Sequence, residues 1–187
     1  MKEALKLGAI LFLITGICVG LLGTVNQITR PIIEANNLKI EQDSMKQLLS
    51  EADTFTQIDA ISDTLIKKVF VAKASHNVVG YILNVEPKGY GGAISVLIGL
   101  DQNKAVKGVK ILSHSETPGF GANAEKPSFI DQYIGKQGTI KVTKTSPKED
   151  EIQAITGATI TSAAITDGVN AAIAFVAEHQ NEWGSVQ

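Results

Sequence analysis

The chain has 187 residues, 44% of them hydrophobic, with 17 Lys and Arg against 19 Asp and Glu. A net charge of -2 excludes a strongly basic nucleic-acid binder, and 5% aromatic residues argue against a stacking platform for single strands. A single Cys excludes an internal disulfide, a Cys-cluster zinc site and an iron–sulfur cluster held by this chain alone.

From Leu7 to Thr29 no residue is charged. A membrane-crossing helix needs ~20 apolar residues, so residues 7–29 are predicted to span a membrane. The run exceeds the ~7–15 residues of a signal-peptide core, and no A-x-A cleavage site follows it. Gly16 and Gly20 lie four apart, on a face where a partner helix could come close. Lys2 and Lys6 precede the span and Arg30 follows it. The positive-inside rule then keeps residues 1–6 in the cytoplasm and sends the rest of the chain outside.

Leu38, Met45, Leu48 and Leu49 have helical spacing, so a helical stalk is expected over residues 30–52. Residues 52–64 are polar and without a period. Leu65–Ala74 and Val78–Val85 read as a hairpin turning at Ser75-His76-Asn77, and Ala93–Leu100 and Val106–Ser113 as two further strands. Pro87 to Gly92 must be a loop, and a second glycine-bearing loop runs from Glu116 to Ala124. Pro127–Tyr133 is a candidate short helix and Thr139–Thr143 a short strand. Ser162–Glu178 places Ile165, Val169, Ala172, Ile173 and Val176 on one helical face. Strands first, with helices at both ends, predict an α+β fold: one N-terminal transmembrane helix, then a single domain over 53–187 with a mainly antiparallel sheet and flanking helices.

Gly119-Phe120-Gly121-Ala122-Asn123-Ala124 fits the dinucleotide pattern G-x-G-x-x-A. Its flanks, Thr117-Pro118 and Glu125-Lys126-Pro127, do not supply the strand and helix that pattern needs. His76, His114 and His179 are far apart, and His114 with Glu116 is the one candidate acid–base pair. Glu149-Asp150-Glu151 reads as solvated surface, with a divalent-cation site as the alternative. Neither a catalytic residue nor a metal ligand is assigned. More informative is Thr156-Gly157-Ala158-Thr159-Ile160-Thr161-Ser162, where hydroxyls gather around a glycine before a long helix. One reading is an N-cap, in which a hydroxyl accepts from the first helix N–H groups. The other uses the same unpaired N–H groups and the positive end of the helix dipole to hold a phosphate.

Thr156-Gly157-Ala158-Thr159 resembles the S/T-G-A-T flavinylation motif. Gly89-Tyr90-Gly91-Gly92 before a strand, Glu116-Thr117-Pro118-Gly119-Phe120-Gly121 after one, and a single N-terminal span resemble the same group. Together they are similar to the G component of the Rnf electron-transport complex and its relative, the C component of the sodium-translocating NADH:quinone reductase. The resemblance implies an FMN-binding domain with FMN joined through its phosphate to Thr159. It implies Thr156, Gly157, Ala158, Glu116, Thr117, Pro118 and Gly119 as cofactor-binding neighbours. It also implies a separate flavin transferase that moves the FMN moiety from FAD onto the threonine and releases AMP. The partners implied are Rnf-type membrane and iron–sulfur subunits, with no nucleic acid. The role implied is an electron relay in a membrane complex coupling ferredoxin–NAD electron transfer to Na⁺ or H⁺ translocation, not catalytic alone. Two other readings compete: a stand-alone membrane-anchored flavoprotein acting as a reductase or redox sensor, and a non-redox extracellular binding domain with an ordinary cap at Thr159.

Overall fold

A computed structural model describes residues 1–58, 63–75 and 77–183. His76, in the predicted hairpin turn, and residues 59–62 of the polar stretch lie outside the described residues. The chain divides into two compact units, residues 1–41 and 42–187.

The first unit is helical and belongs to α1 (Lys2–Leu48). Its apolar side chains stay uncovered, with Leu11, Phe12, Leu21 and Leu22 each more than 60% exposed. The run 7–29 is about 35 Å long at the helical rise, against a hydrocarbon core of ~30 Å. Its hydroxyls bond back into the helix: Thr15 Oγ1 donates to the Leu11 carbonyl at 2.9 Å and Thr24 Oγ1 to Gly20 at 2.8 Å. Such internal pairing is what a non-aqueous surround requires. The helix continues through Pro31, just past the apolar run. The residue Pro31 leaves without a helical donor is Gln27, at the polar end of that run.

In the second unit, β1 (Thr54–Ile58), β2 (Ile66–Ala74), β3 (Asn77–Val85), β4 (Ser95–Asp101) and β5 (Val106–Ser113) form one antiparallel sheet in chain order. The four longer predicted strands are present, and Ala74 pairs with Asn77 across the hairpin. β1 falls inside the stretch read as polar and without a period. Its residues are mostly polar and half or fully exposed, so hydrogen bonding to β2 makes it a strand without an apolar period. Val69, Val71, Leu83, Val96, Ile98 and Leu100 point to one face, and Phe70, Ala72, Ile82 and Leu97 to the other. Both faces are covered, which explains why these strands read as near-continuous apolar runs. Ile165, Val169, Ala172, Ile173 and Val176 of the final helix cover the first face. Met45 and Leu49, with Leu48, cover the second. The paired Gly99 and Gly108 leave room for Leu48, whose Cδ2 would lie 2.8 Å from a Cβ at Gly108.

After the sheet, a 3-10 turn at Gly121–Glu125 leads into α2 (Pro127–Ile130) and a second 3-10 turn at Asp131–Tyr133, which together occupy the predicted short helix. β6 (Lys141–Thr143) pairs in parallel with β7 (Glu151–Gln153). The acidic run therefore ends in a strand: Glu149 and Asp150 are exposed, while Glu151 is half-buried. Three residues are too few to betray β7 by pattern. α3 (Thr159–Trp183) starts three residues before the predicted helix and runs past its predicted end. Asn170 on α3 bonds both the N–H and the carbonyl of Ile140, at 2.8 and 2.9 Å, which ties the small sheet to the helix.

Candidate functional site

Two Gly turns face each other across the start of α3. In Thr117-Pro118-Gly119-Phe120 the Phe120 N–H donates to the Thr117 carbonyl at 3.2 Å, and Gly119 has φ +80°. Pro followed by a left-handed Gly is the signature of a type II turn. In Ile155-Thr156-Gly157-Ala158 the Ala158 N–H donates to the Ile155 carbonyl at 2.9 Å, and Gly157 has φ +78°. The second turn hangs from β7, because the Ala154 N–H donates to the Thr143 carbonyl at 2.8 Å. Phe120 lies against Gly157: a Cβ there would sit 2.9 Å from Phe120 Cδ1.

Between these turns opens a cleft of about 510 Å³ lined by Tyr90, Glu116, Thr117, Phe120, Gly121, Gly157, Ala158, Thr159, Ile160 and Thr161. That volume lies within the roughly 300–1,000 Å³ of small-molecule sites. Of the predicted neighbours, Glu116, Thr117, Gly157, Ala158 and Thr159 line it, while Thr156, Pro118 and Gly119 shape the turns without lining it. Tyr90, Phe120 and Ile160 are 73%, 54% and 57% exposed, and all three stand at this cleft. The sequence reading places Phe120 and Gly121 here only as part of the Glu116–Gly121 loop that resemblance sets against the flavin ring, and it misses Tyr90, Ile160 and Thr161 as site residues. The available signal for Tyr90 and Phe120 is their place inside the two glycine motifs.

The hydroxyls divide sharply. Thr161 is 1% exposed and donates to Glu116 Oε2 at 2.7 Å. Ser162 is fully buried, donates to the Ala158 carbonyl at 3.0 Å and accepts from the Ile155 N–H at 3.0 Å. Thr156 is exposed but off the cleft wall, and Thr159 is exposed on it. The residue before α3 is Ala158, which has no side-chain oxygen to cap with, so the expected hydroxyl cap is not at the usual N-cap position. The amides of Thr159, Ile160 and Thr161 fall in the first turn, where no helical carbonyl precedes them. The first helical bond runs from the Ser162 N–H to the Ala158 carbonyl at 3.0 Å.

The His114–Glu116 pair is arranged differently from the expectation. His114 Nδ1 accepts from the backbone N–H of Glu116 at 3.1 Å, and its Nε2 faces Glu125 Oε1 at 3.2 Å. The Glu116 carboxylate turns the other way, into the cleft wall. The G-x-G-x-x-A segment is a turn followed by a 3-10 turn, without the strand-to-helix step of a dinucleotide site.

These residues suit a flavin mononucleotide. The apolar rim offers walls for a planar ring, the bare Cα of Gly157 permits close approach, and the helix start favours an anion. The chain matches the FMN-binding domain family over residues 89–174 and the RnfG N-terminal region over residues 1–48. It is 37% identical over 154 residues to the G component of the proton-translocating ferredoxin:NAD(+) oxidoreductase complex of Clostridium ljungdahlii, covering 82% of this chain and 80% of that one. It is 35% identical to the Na(+)-translocating counterpart of Acetobacterium woodii, covering 92% and 91%. Among solved structures, the C component of the Na(+)-translocating NADH-quinone reductase of Parabacteroides distasonis superposes with a TM-score of 0.51 at 25% identity. That match covers 64% of this chain and 63% of the other, just under two thirds of its length.

Proposed function

The chain belongs to the RnfG family of ion-translocating oxidoreductase complexes, and on that premise we propose that it is an electron-relay subunit, with FMN held through a phosphodiester on Thr159. One observation supports Thr159 most: of the four clustered hydroxyls, its own is the one both exposed and on the cleft wall. In the attachment step the Thr159 oxygen bonds to the flavin-side phosphorus of FAD. The bond from that phosphorus to the bridging oxygen breaks, AMP departs, and the hydroxyl proton is lost. In this reading a separate flavin transferase carries out this step, and both carboxylate oxygens of Glu116, in the cleft wall, stay engaged by protein donors. Bound flavin accepts electrons singly or in pairs and so links unlike carriers. Tyr90, Phe120 and Ile160 would flank the ring, and the first-turn amides of α3 would serve the phosphate.

Residues 7–29 cross the membrane in this reading, with residues 1–6 cytoplasmic and the flavin domain outside. Gly16 and Gly20, where an added Cβ meets nothing within 4 Å, are the places for a helix from a neighbouring protein of the complex. The test is the intact mass of the full chain made with and without a flavin transferase, followed by peptide mapping. An increment of FMN less water on the peptide holding Thr159 is expected. An unmodified chain in both preparations would refute the covalent reading.

A further inference from the structure

Glu116 is 6% exposed and lies in the cleft wall. Its Oε1 accepts the Gly91 N–H at 3.0 Å, and its Oε2 accepts the Thr161 hydroxyl at 2.7 Å. A Cβ at Gly89 would overlap Oε1, and one at Gly121 would overlap Oε2, so glycine backbone closes on the carboxylate from two sides. One side chain therefore joins the Gly89–Gly92 loop, the turn that follows β5 and the first turn of α3. Both of its oxygens already have protein partners.

We propose that Glu116 is the positioning residue of the flavin-attachment site, acting on Thr159 through Thr161 and Gly91 rather than by touching the flavin. The proposal rests on attachment at Thr159. Residues two apart on a helix point about 200° from each other. Holding Thr161 inward thus turns Thr159 out to the cleft. First helical turns fray because their amides have no internal partners. A charge-assisted bond from a buried carboxylate is the kind of contact that stops such fraying.

The test compares full-length wild type, Glu116→Ala, Glu116→Gln and Thr161→Val. Hydrogen exchange is read first, on chain made without a transferase, at Gly91 and residues 158–162. The initial rate of flavin incorporation by a transferase with FAD is then read by intact mass. Thr161→Val, which removes one buried charge-assisted bond, should raise exchange at residues 158–162 and slow incorporation by about ten-fold or more, and Glu116→Ala, which removes that bond and the one to Gly91, should do at least as much. Gln keeps an acceptor for the Gly91 N–H and an amide that can donate to Thr161 Oγ1 but loses the charge, so both readouts should fall between wild type and Ala. Thr161→Val carries the test if Glu116→Ala fails to fold. Wild-type exchange and incorporation in Thr161→Val would overturn the proposal, and so would Gln behaving like Ala. A wild type that never takes flavin would refute attachment at Thr159, while the exchange data would still decide whether Glu116 holds the turn.

Discussion

Gly157 combines a left-handed backbone with a close neighbour in the cleft wall. Replacing it with Ala imposes two separable costs. An L-residue in the left-handed region costs about 1–2 kcal/mol, and Gly157 has φ +78°. The new Cβ would also stand 2.9 Å from Phe120 Cδ1 and 3.2 Å from Cε1. Phe120 is 54% exposed, so its ring can swing outward for about 0.5–1.5 kcal/mol of rotamer strain. The total is about 1.5–3.5 kcal/mol, which for a chain of this size lowers the melting temperature by about 3–14 °C. The displaced ring also deforms the cleft wall, so flavin incorporation should slow, and Gly157→Val should block it. The assay is thermal unfolding of detergent-solubilised chain together with the rate of mass increase under a transferase. Phe120→Ala supplies the other side of a double-mutant cycle: added to Gly157→Ala it should recover the contact part and leave the backbone part. A Gly157→Ala protein that melts and incorporates flavin like wild type would refute the close-approach argument.

Other predictions address the attachment and the core. Thr159→Ser should still take flavin, whereas Thr159→Val should not, with stability changed by less than about 0.5 kcal/mol because the side chain is exposed; intact mass and a melt check both. Tyr133 OH lies 2.7 Å from Thr166 Oγ1, which itself donates to the Ser162 carbonyl at 2.8 Å, so the tyrosine is the donor of the pair. Thr166→Val strands that buried donor and should cost about 1–3 kcal/mol, more than the roughly 1 kcal/mol of Tyr133→Phe, by urea titration of Trp183 fluorescence. Burial, ahead of other causes, pushes the Tyr133 hydroxyl far above its ordinary value of 10.0, and burial raises Tyr81 as well. A raised folded-state value means stability is intact below pH 10 and is lost as pH climbs beyond it, and Tyr133→Phe should flatten that alkaline decline. Leu49→Ala, at a residue 1% exposed on the second sheet face, should cost about 2–5 kcal/mol in the same titration.

What sequence alone determined here is whatever physics acts over a few neighbouring residues. An uncharged run long enough for a bilayer, apolar strands between Gly and Pro turns, and an Ala-rich helix with one apolar face declare themselves locally. The same holds for the Thr-Gly-Ala-Thr segment at a helix start. β1 and β7 did not declare themselves, because a polar edge strand and a three-residue strand are made by backbone bonds to distant partners rather than by side-chain period. Residue chemistry alone leaves four hydroxyls open, and only the resemblance of the motif points to Thr159. Composition treats Thr156, Thr159, Thr161 and Ser162 alike. Tertiary structure gives them different surroundings: a carboxylate 45 residues away accepts a hydrogen bond from Thr161, the turn after β7 donates to Ser162, and Phe120 meets Gly157 from the opposite loop. Contacts that close such long loops depend on the whole sheet and helix being in place, so no local reading of the chain contains them.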